Sequence, residues 1–315
     1  MRGVTWVLLG LLLSGAVLPS DRQPGPDGGN TATPLVASTL VLAEAETLQV
    51  ATGGALRANA PVVVLLTGPV GSTYSMRHLA AALQQDGLAV LVIDPLGMGA
   101  SAKPRGVDYS LTRQAERIRS ALDQLVPPTA GVYLAAPGTS ATIALRVAAT
   151  DTARIRGVVS IAGGPVDKQG TSGIRLALAL SPLLDNPVGR ALGRRRFASG
   201  ARDQSSDPSW VTAETVARYL APVERDVRAS FRALKGMYDA NERRPIAEVL
   251  PSIVAPVRLI VGDKPLPNAP SAAQIALLVQ SVRQLRVDTL PHSGTMLHEE
   301  QAAAVARIIR ETVRR

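Results

Sequence analysis

The stretch that most constrains this chain runs from Val132 to Ala149. Val132-Tyr133-Leu134 is short, β-branched and aromatic, which suits a buried strand. Ile143, Ala144, Leu145, Val147 and Ala148 then continue as an apolar helix with Arg146 on its outer side. Between them lies a tight turn of small residues, Ala136-Pro137-Gly138-Thr139-Ser140. A strand that enters a helix through so sharp a turn can lift one side chain above a sheet, the geometry that G-x-S-x-G gives a nucleophilic serine. The position such a serine would take holds Gly138, which has no side chain to attack with. The local sequence thus specifies the framework of a reactive turn and omits its reactive group.

Composition narrows the chemistry further. The 315 residues suffice for one large α/β domain with an insertion, and 46% of them are apolar. Only 3% are aromatic, so Ala, Val and Leu must fill the core. The absence of cysteine excludes disulfides, thiolate metal sites and a cysteine nucleophile. Three scattered histidines, His78, His292 and His298, provide no metal-ligand spacing, and neither a metal nor a cofactor is expected. The net charge of +9 raises the question of nucleic acid, but the arginines are spread along the chain and no nucleic-acid motif accompanies the one dense run, Arg194-Arg195-Arg196. Nucleic-acid binding is therefore not expected.

Taken in order, residues 1–18 carry one arginine, an apolar run from Val4 to Leu13 and the small residues Ser14-Gly15-Ala16. This is the layout of a secretory signal peptide or a retained N-terminal anchor, and it predicts an exported protein, periplasmic, extracellular or membrane-anchored. Residues 19–34, rich in Gly, Pro, Asp and Asn, read as a disordered tether. From 35 to 165 strands and helices alternate: two β-leaning runs in Leu35–Val50, strands at Pro61–Leu66, Leu88–Ile93, Gly131–Leu134 and Val158–Ala162, and helices at Met76–Gln85, Gln114–Leu125 and Thr139–Ala149. From 166 to 250 the patterns are helical only, at Ile174–Leu184, Ala213–Leu220 and Val227–Met237. From 251 to 315 the alternation returns, with strands Val257–Val261 and Leu285–Thr289 and helices near Ala272–Ser281 and Glu300–Arg314. The fold class predicted is α/β: a doubly wound, mostly parallel sheet interrupted by an all-helical cap.

Several segments resemble those of the capped α/β-hydrolase family, the group of epoxide hydrolases, haloalkane dehalogenases and esterases. Leu65-Leu66-Thr67-Gly68-Pro69-Val70-Gly71-Ser72 is similar to its L-L-H-G-x-x-G-S oxyanion loop. Asp94-Pro95-Leu96-Gly97-Met98-Gly99-Ala100-Ser101-Ala102-Lys103-Pro104 is similar to its D-x-x-G-x-G-x-S-x-x-P segment. The stretch from Val254 to Gly262 resembles the strand leading to the catalytic acid, and Leu290–Gln301 resembles the histidine loop. Against that pattern the departures fall on the chemistry. The serine's place holds Gly138, the acid's place Pro265 with Asp263 as a neighbour, and the histidine's place Thr295, while Thr67 replaces the oxyanion-loop histidine.

The resemblance therefore implies a family fold whose triad positions are all substituted, since a triad needs nucleophile, base and orienting acid within mutual reach. The function expected is that of a catalytically degenerate hydrolase, binding a small apolar or carbonyl ligand, or a protein partner, in the pocket between core and cap. That pocket is expected to involve Thr67, Gly68, Pro69, Gly138, Thr139 and Thr295, with backbone amides near Pro69 and Thr139 favouring a carbonyl or carboxylate. The alternative is an active hydrolase of an ester, amide or epoxide with displaced residues: Ser140 as nucleophile, His292 as base and Asp167 as acid. It requires the Ser140 hydroxyl to lie in the pocket within hydrogen-bond reach of a base. Membrane contact, if any, is expected only through the N-terminal segment or the cap.

Overall fold

The computed structural model describes residues 34–43, 46–168 and 185–314. The N-terminal leader, nearly all of the tether and the helix expected at Ile174–Leu184 lie outside them. Eight strands form one sheet: β1 (Val36–Ala43), β2 (Glu46–Gly53), β3 (Pro61–Leu66), β4 (Ala89–Ile93), β5 (Gly131–Pro137), β6 (Ile155–Ile161), β7 (Val257–Gly262) and β8 (Leu285–Leu290). Their order across the sheet is β1-β2-β4-β3-β5-β6-β7-β8. The pairings β1–β2 and β2–β4 are antiparallel, and all the others are parallel.

The continuous apolar runs in the central strands exist because both faces of the sheet are covered. Alternate residues divide between two cores as the period of two requires. Val62, Val64, Leu66, Val132 and Leu134 pack with α2 (Leu111–Leu125) and α3 (Ser140–Thr150). Val63, Leu65, Val90, Val92 and Ala135 face the opposite side, with α1 (Arg77–Gln85) and α10 (Ala302–Val313). The last expected helix, Glu300–Arg314, is α10, and one short helical turn, α9 (Leu297–Glu300), precedes it.

Between β6 and β7 every described element is helical: α4 (Pro187–Asp203), a 3-10 turn at Pro208–Trp210, α5 (Ala213–Arg225), α6 (Val227–Asp239), α7 (Ile246–Val249) and a second 3-10 turn at Leu250–Ser252. These form the cap. Helix α4 was not expected from the apolar pattern, because its glycines and arginines leave most of its surface exposed. Its start is nonetheless written locally: Asn186 accepts hydrogen bonds from the Val188 and Gly189 amides, and Pro187 occupies the first helical turn. After the sheet resumes, α8 (Ala272–Ser281) follows β7 and α9 follows β8.

The cap is fastened to the core at several points. Glu242, buried, accepts the Leu111 and Thr112 amides and the Thr112 hydroxyl, so it caps the start of α2. Four of the chain's nine aromatic residues meet at the cap–core seam. The Tyr219 ring of α5 lies 5.3 Å from Phe197, 5.8 Å from Trp210 and 6.1 Å from Tyr74 of the core, while Ala233, Met237, Ile246, Val249 and Leu250 join the cap to the main hydrophobic core. Below it the Tyr219 hydroxyl donates to the fully buried Glu299 carboxylate (2.5 Å), which also receives Arg77 (2.7 Å).

Candidate functional site

The turn from β5 into α3 has the backbone of a reactive elbow. Pro137 ends the strand, Gly138 adopts a left-handed conformation (φ +54°), and Thr139 is already helical. The Gly138 amide donates to the Ile161 carbonyl (3.0 Å), and its own carbonyl accepts from Ala141 (3.2 Å). Gly163 closes the turn from the neighbouring strand end: a Cβ there would stand 2.2 Å from the Gly138 oxygen, so only glycine fits. At Gly138 itself a Cβ would meet no atom of the described residues within 4 Å, and the residue is exposed. The elbow therefore presents a left-handed glycine backbone and an open space, without a side chain in it.

Of the residues expected around that space, Gly68 and Pro69 lie partly exposed on the loop after β3, and Gly68 approaches the elbow: a Cβ there would stand 3.9 Å from the Pro137 ring. Thr139 follows Gly138 directly, and α3 starts there with no side-chain cap; the Ala141 and Thr142 amides go to the Gly138 and Thr139 carbonyls (3.2 and 3.1 Å). Pro69 itself has no N–H, so an amide expected near it has to come from Gly68 or Val70. Thr67 does not join the group. It is fully buried, and its hydroxyl donates to the Asp94 carboxylate (2.9 Å).

The residues expected at the acid and base positions make other contacts. Pro265 is exposed and carries no acid function. Its neighbour Asp263 accepts the His292 amide (2.9 Å) and the Ser293 amide (3.0 Å), and these two bonds hold its carboxyl below the usual range. Thr295, in the base position, donates its amide to the carbonyl of Gln204 in the cap (2.9 Å), and its hydroxyl lies 3.5 Å from the Gln204 side-chain oxygen. A Cβ on Gly294 would stand 2.0 Å from that same Gln204 carbonyl. Lys264 donates to the Ser205 carbonyl (2.9 Å), and one oxygen of Glu300 takes the amides of Ser206 (2.7 Å), Asp207 (3.3 Å) and Gly294 (3.2 Å). Cap residues 204–207 are thereby clamped against both loops that would carry an acid and a base.

Ser140 is fully buried at the start of α3, where its hydroxyl donates to the Thr67 carbonyl (2.8 Å) and lies 3.9 Å from the Met98 sulfur. His292 is exposed on the turn after β8, with a left-handed backbone (φ +53°). Asp167 accepts from Arg146 (3.1 Å) and from the Ile246 amide (2.7 Å), tying the strand β6 exit to the cap. The hydrogen bonds of these three residues do not link them to one another. His298 is buried against Glu299, and burial pushes its imidazole below the ordinary value. Among the described residues no group of three or more His, Asp or Glu side chains is placed to hold a metal ion.

The loop after β4 is organised by Asp94, which is fully buried. It accepts the Ala100 amide (2.8 Å) besides the Thr67 hydroxyl, and a Cβ on Gly99 would fall 2.1 Å from its carboxylate. Burial pushes its carboxyl up to about 7.

An eight-stranded, mostly parallel sheet, crossed over by helices and carrying a helical cap and a glycine-tight elbow at the end of its fifth strand, defines the class: a capped α/β protein built around a strand–turn–helix site. The family model of the alpha/beta hydrolase family matches residues 63–308, and the chain belongs to that family. Among the curated proteins no sequence matches at a significant level. Solved structures that resemble it include wild-type Cfl2 from Burkholderia cenocepacia (21% identity, 87% of this chain and 94% of that one, TM-score 0.67). A membrane phospholipase A described as a bacterial virulence factor is similar as well (22% identity, 89% and 87%, TM-score 0.66). So is the 2-hydroxy-6-oxo-6-phenylhexa-2,4-dienoate hydrolase of a Rhodococcus species (14% identity, 90% and 99%, TM-score 0.70). At these identities the likeness is one of fold.

Proposed function

We propose that this chain is an exported α/β-hydrolase-fold protein that binds a small apolar ligand bearing a carbonyl group at the Gly138 elbow and does not hydrolyse it. The observation that carries the reading is the clamp of residues 204–207 on Lys264, Gly294 and Thr295, which takes up the loops where an acid and a base would stand. A carbonyl placed over the elbow would meet the open space at Gly138 and the amide of Thr139. It would meet no nucleophile at Gly138, and the threonine hydroxyl at 295 is no base for activating water. Pro69 supplies no amide of its own, and the donors beside it are the amides of Gly68 and Val70. Binding without turnover follows from the missing nucleophile and base. The export half of the reading rests on the apolar run Val4–Leu13 and the small residues Ser14–Ala16, and cell fractionation with N-terminal sequencing of the recovered chain tests it.

For the binding half, the folded protein is treated with a fluorophosphonate serine probe and with p-nitrophenyl butyrate, beside a Ser140→Ala variant and a Gly138→Asn variant. Asn tolerates a left-handed backbone and fills the open space. The expected result is no labelling, no ester cleavage above the buffer rate, and saturable retention of the intact ester that Gly138→Asn abolishes. Labelling that disappears in Ser140→Ala would establish a displaced nucleophile and overturn the proposal.

A further inference from the structure

The last strand of the sheet, β8, leaves one edge open. The Val257 amide donates to the Gln284 carbonyl (2.8 Å) and the Asp263 amide to the Leu290 carbonyl (3.2 Å), so the even-numbered residues here turn their backbone groups toward β7. By the strand's period of two, Leu285, Val287 and Thr289 turn their N–H and C=O groups outward. Open edges are ordinarily guarded by lysine, proline or a bulge. Strand β8 reads Leu-Arg-Val-Asp-Thr-Leu, with neither lysine nor proline, and its register with β7 runs unbroken from Leu285 to Leu290. The opposite edge, β1, is interrupted between Val41 and Ala43 and carries no charged residue that could select a partner.

The two faces of β8 differ in chemistry. On one, Asp288 is bonded to Arg258 of β7 (2.7 Å) and to the exposed Arg286 (3.0 Å). On the other, Leu285 packs on the core that α8 covers, and Val287 is 39% exposed. Helix α8 has no charged residue, and Ala272, Ala276 and Val279, spaced along one stripe of it, are exposed.

This edge is complementary to itself in one register. With a two-fold axis at Val287, a second copy of β8 lies antiparallel, Val287 faces its own copy, and Leu285 faces the second copy's Thr289. All the outward backbone groups then pair, in about six hydrogen bonds. Arg286 of each copy stands opposite Asp288 of the other, so the interface holds two charge pairs. An axis at position 286 would instead set arginine on arginine, and one at 288 aspartate on aspartate, both unfavourable.

We propose that the chain forms a two-fold dimer through β8, which joins two eight-stranded sheets into one. The elbow at the end of β5 is separated from this edge by β6 and β7, so each copy keeps its own and the pairing is independent of what binds there.

The test is sedimentation velocity on the full chain across the micromolar range, where the wild type is expected to reach a dimer. Val287→Pro removes the N–H at the axis and takes nothing from β7, because that N–H points outward. Arg286→Asp turns both charge pairs into like-charge contacts. Each is expected to weaken dimerisation about ten-fold or more, with circular dichroism unchanged. The chain has no cysteine, so single substitutions report the register. Val287→Cys brings two thiols to the axis with Cα atoms about 5.5 Å apart, inside the disulfide range. Thr289→Cys faces Leu285 and leaves its two thiols more than about 10 Å apart. Under mild oxidation the first is expected to cross-link and the second to stay single. A monomer at every concentration overturns the proposal. So does a dimer indifferent to both Val287→Pro and Arg286→Asp, which would put the contact elsewhere, or equal cross-linking of the two cysteine variants.

Discussion

Gly138→Ser restores the residue type that the elbow lacks, and the structure sets out what the change does. Space is no obstacle, since a Cβ at this position meets no described atom within 4 Å. Backbone strain is the cost: at φ +54° an L-residue gives up about 1–2 kcal/mol relative to glycine. Part of this is offset because serine has fewer unfolded conformations to lose, a gain of about 0.4–1 kcal/mol. The net loss is about 1 kcal/mol, and with a urea dependence of about 3 kcal/mol/M the midpoint moves down by about 0.3 M. The new hydroxyl stands on an intact elbow and yet stays unreactive, because the loop at Thr295 is bonded to Gln204 and Asp263 is spent on the His292–Ser293 turn. The assay pairs urea unfolding with fluorophosphonate labelling of Gly138→Ser and of Gly138→Ser/Thr295→His. Both variants are expected to fold and to label no faster than wild type. Rapid labelling of the single variant would mean that a base already stands within reach of position 138, and the account of the clamp would be wrong.

Three further outcomes follow from other parts of the fold. Glu242→Gln trades a buried carboxylate for an amide that cannot accept from both amides at the start of α2 and leaves Arg146, 3.5 Å away, without that charge; a loss of about 2–4 kcal/mol is expected in denaturant unfolding. Gly163→Ala drives a Cβ into the Gly138 carbonyl at 2.2 Å and the Ala141 Cβ at 2.7 Å, both on rigid elements, so a loss of about 2 kcal/mol or more and a weakened elbow ligand are expected together. Asp94 holds a proton to about pH 7 in the folded chain, against an ordinary value of 3.8. Unfolding releases that proton between these limits, so its share of the stability falls as the pH rises through the window and is level above it. Asp94→Asn removes this component, and stability of the variant measured across the window with no change in slope would refute it.

What could be read along the chain and what could not divide by the range of the interactions involved. The central strands were legible because burial on two faces forces runs such as Pro61–Leu66 to be apolar throughout, and strand–helix order then limits the topology to few choices. The elbow was legible for a similar reason: the turn's small residues and the apolar helix after it are all within twenty residues. Helix α4 was not, because its stabilising signal is the Asn186-Pro187 start and not an apolar stripe. The missing donor at Pro69 was written in the residue itself and depended only on covalent chemistry. By contrast, the clamp joins Gln204–Asp207 to Lys264, Gly294, Thr295 and Glu300 across 59 to 94 positions, much of it through backbone groups that every residue carries. No local pattern marks a carbonyl that will accept from an amide so distant in sequence. Yet this contact gives the substituted triad positions a physical meaning. A glycine at 138 alone would describe an enzyme missing one atom group, which a single substitution repairs. Loops that have been turned into anchors for the cap describe a site whose framework now depends on the substitutions, because an imidazole at 295 or any side chain at 294 has to contend with the Gln204 carbonyl. On the proposed reading, the residues at 294 and 295 and the seating of the cap on their loop are one structural feature.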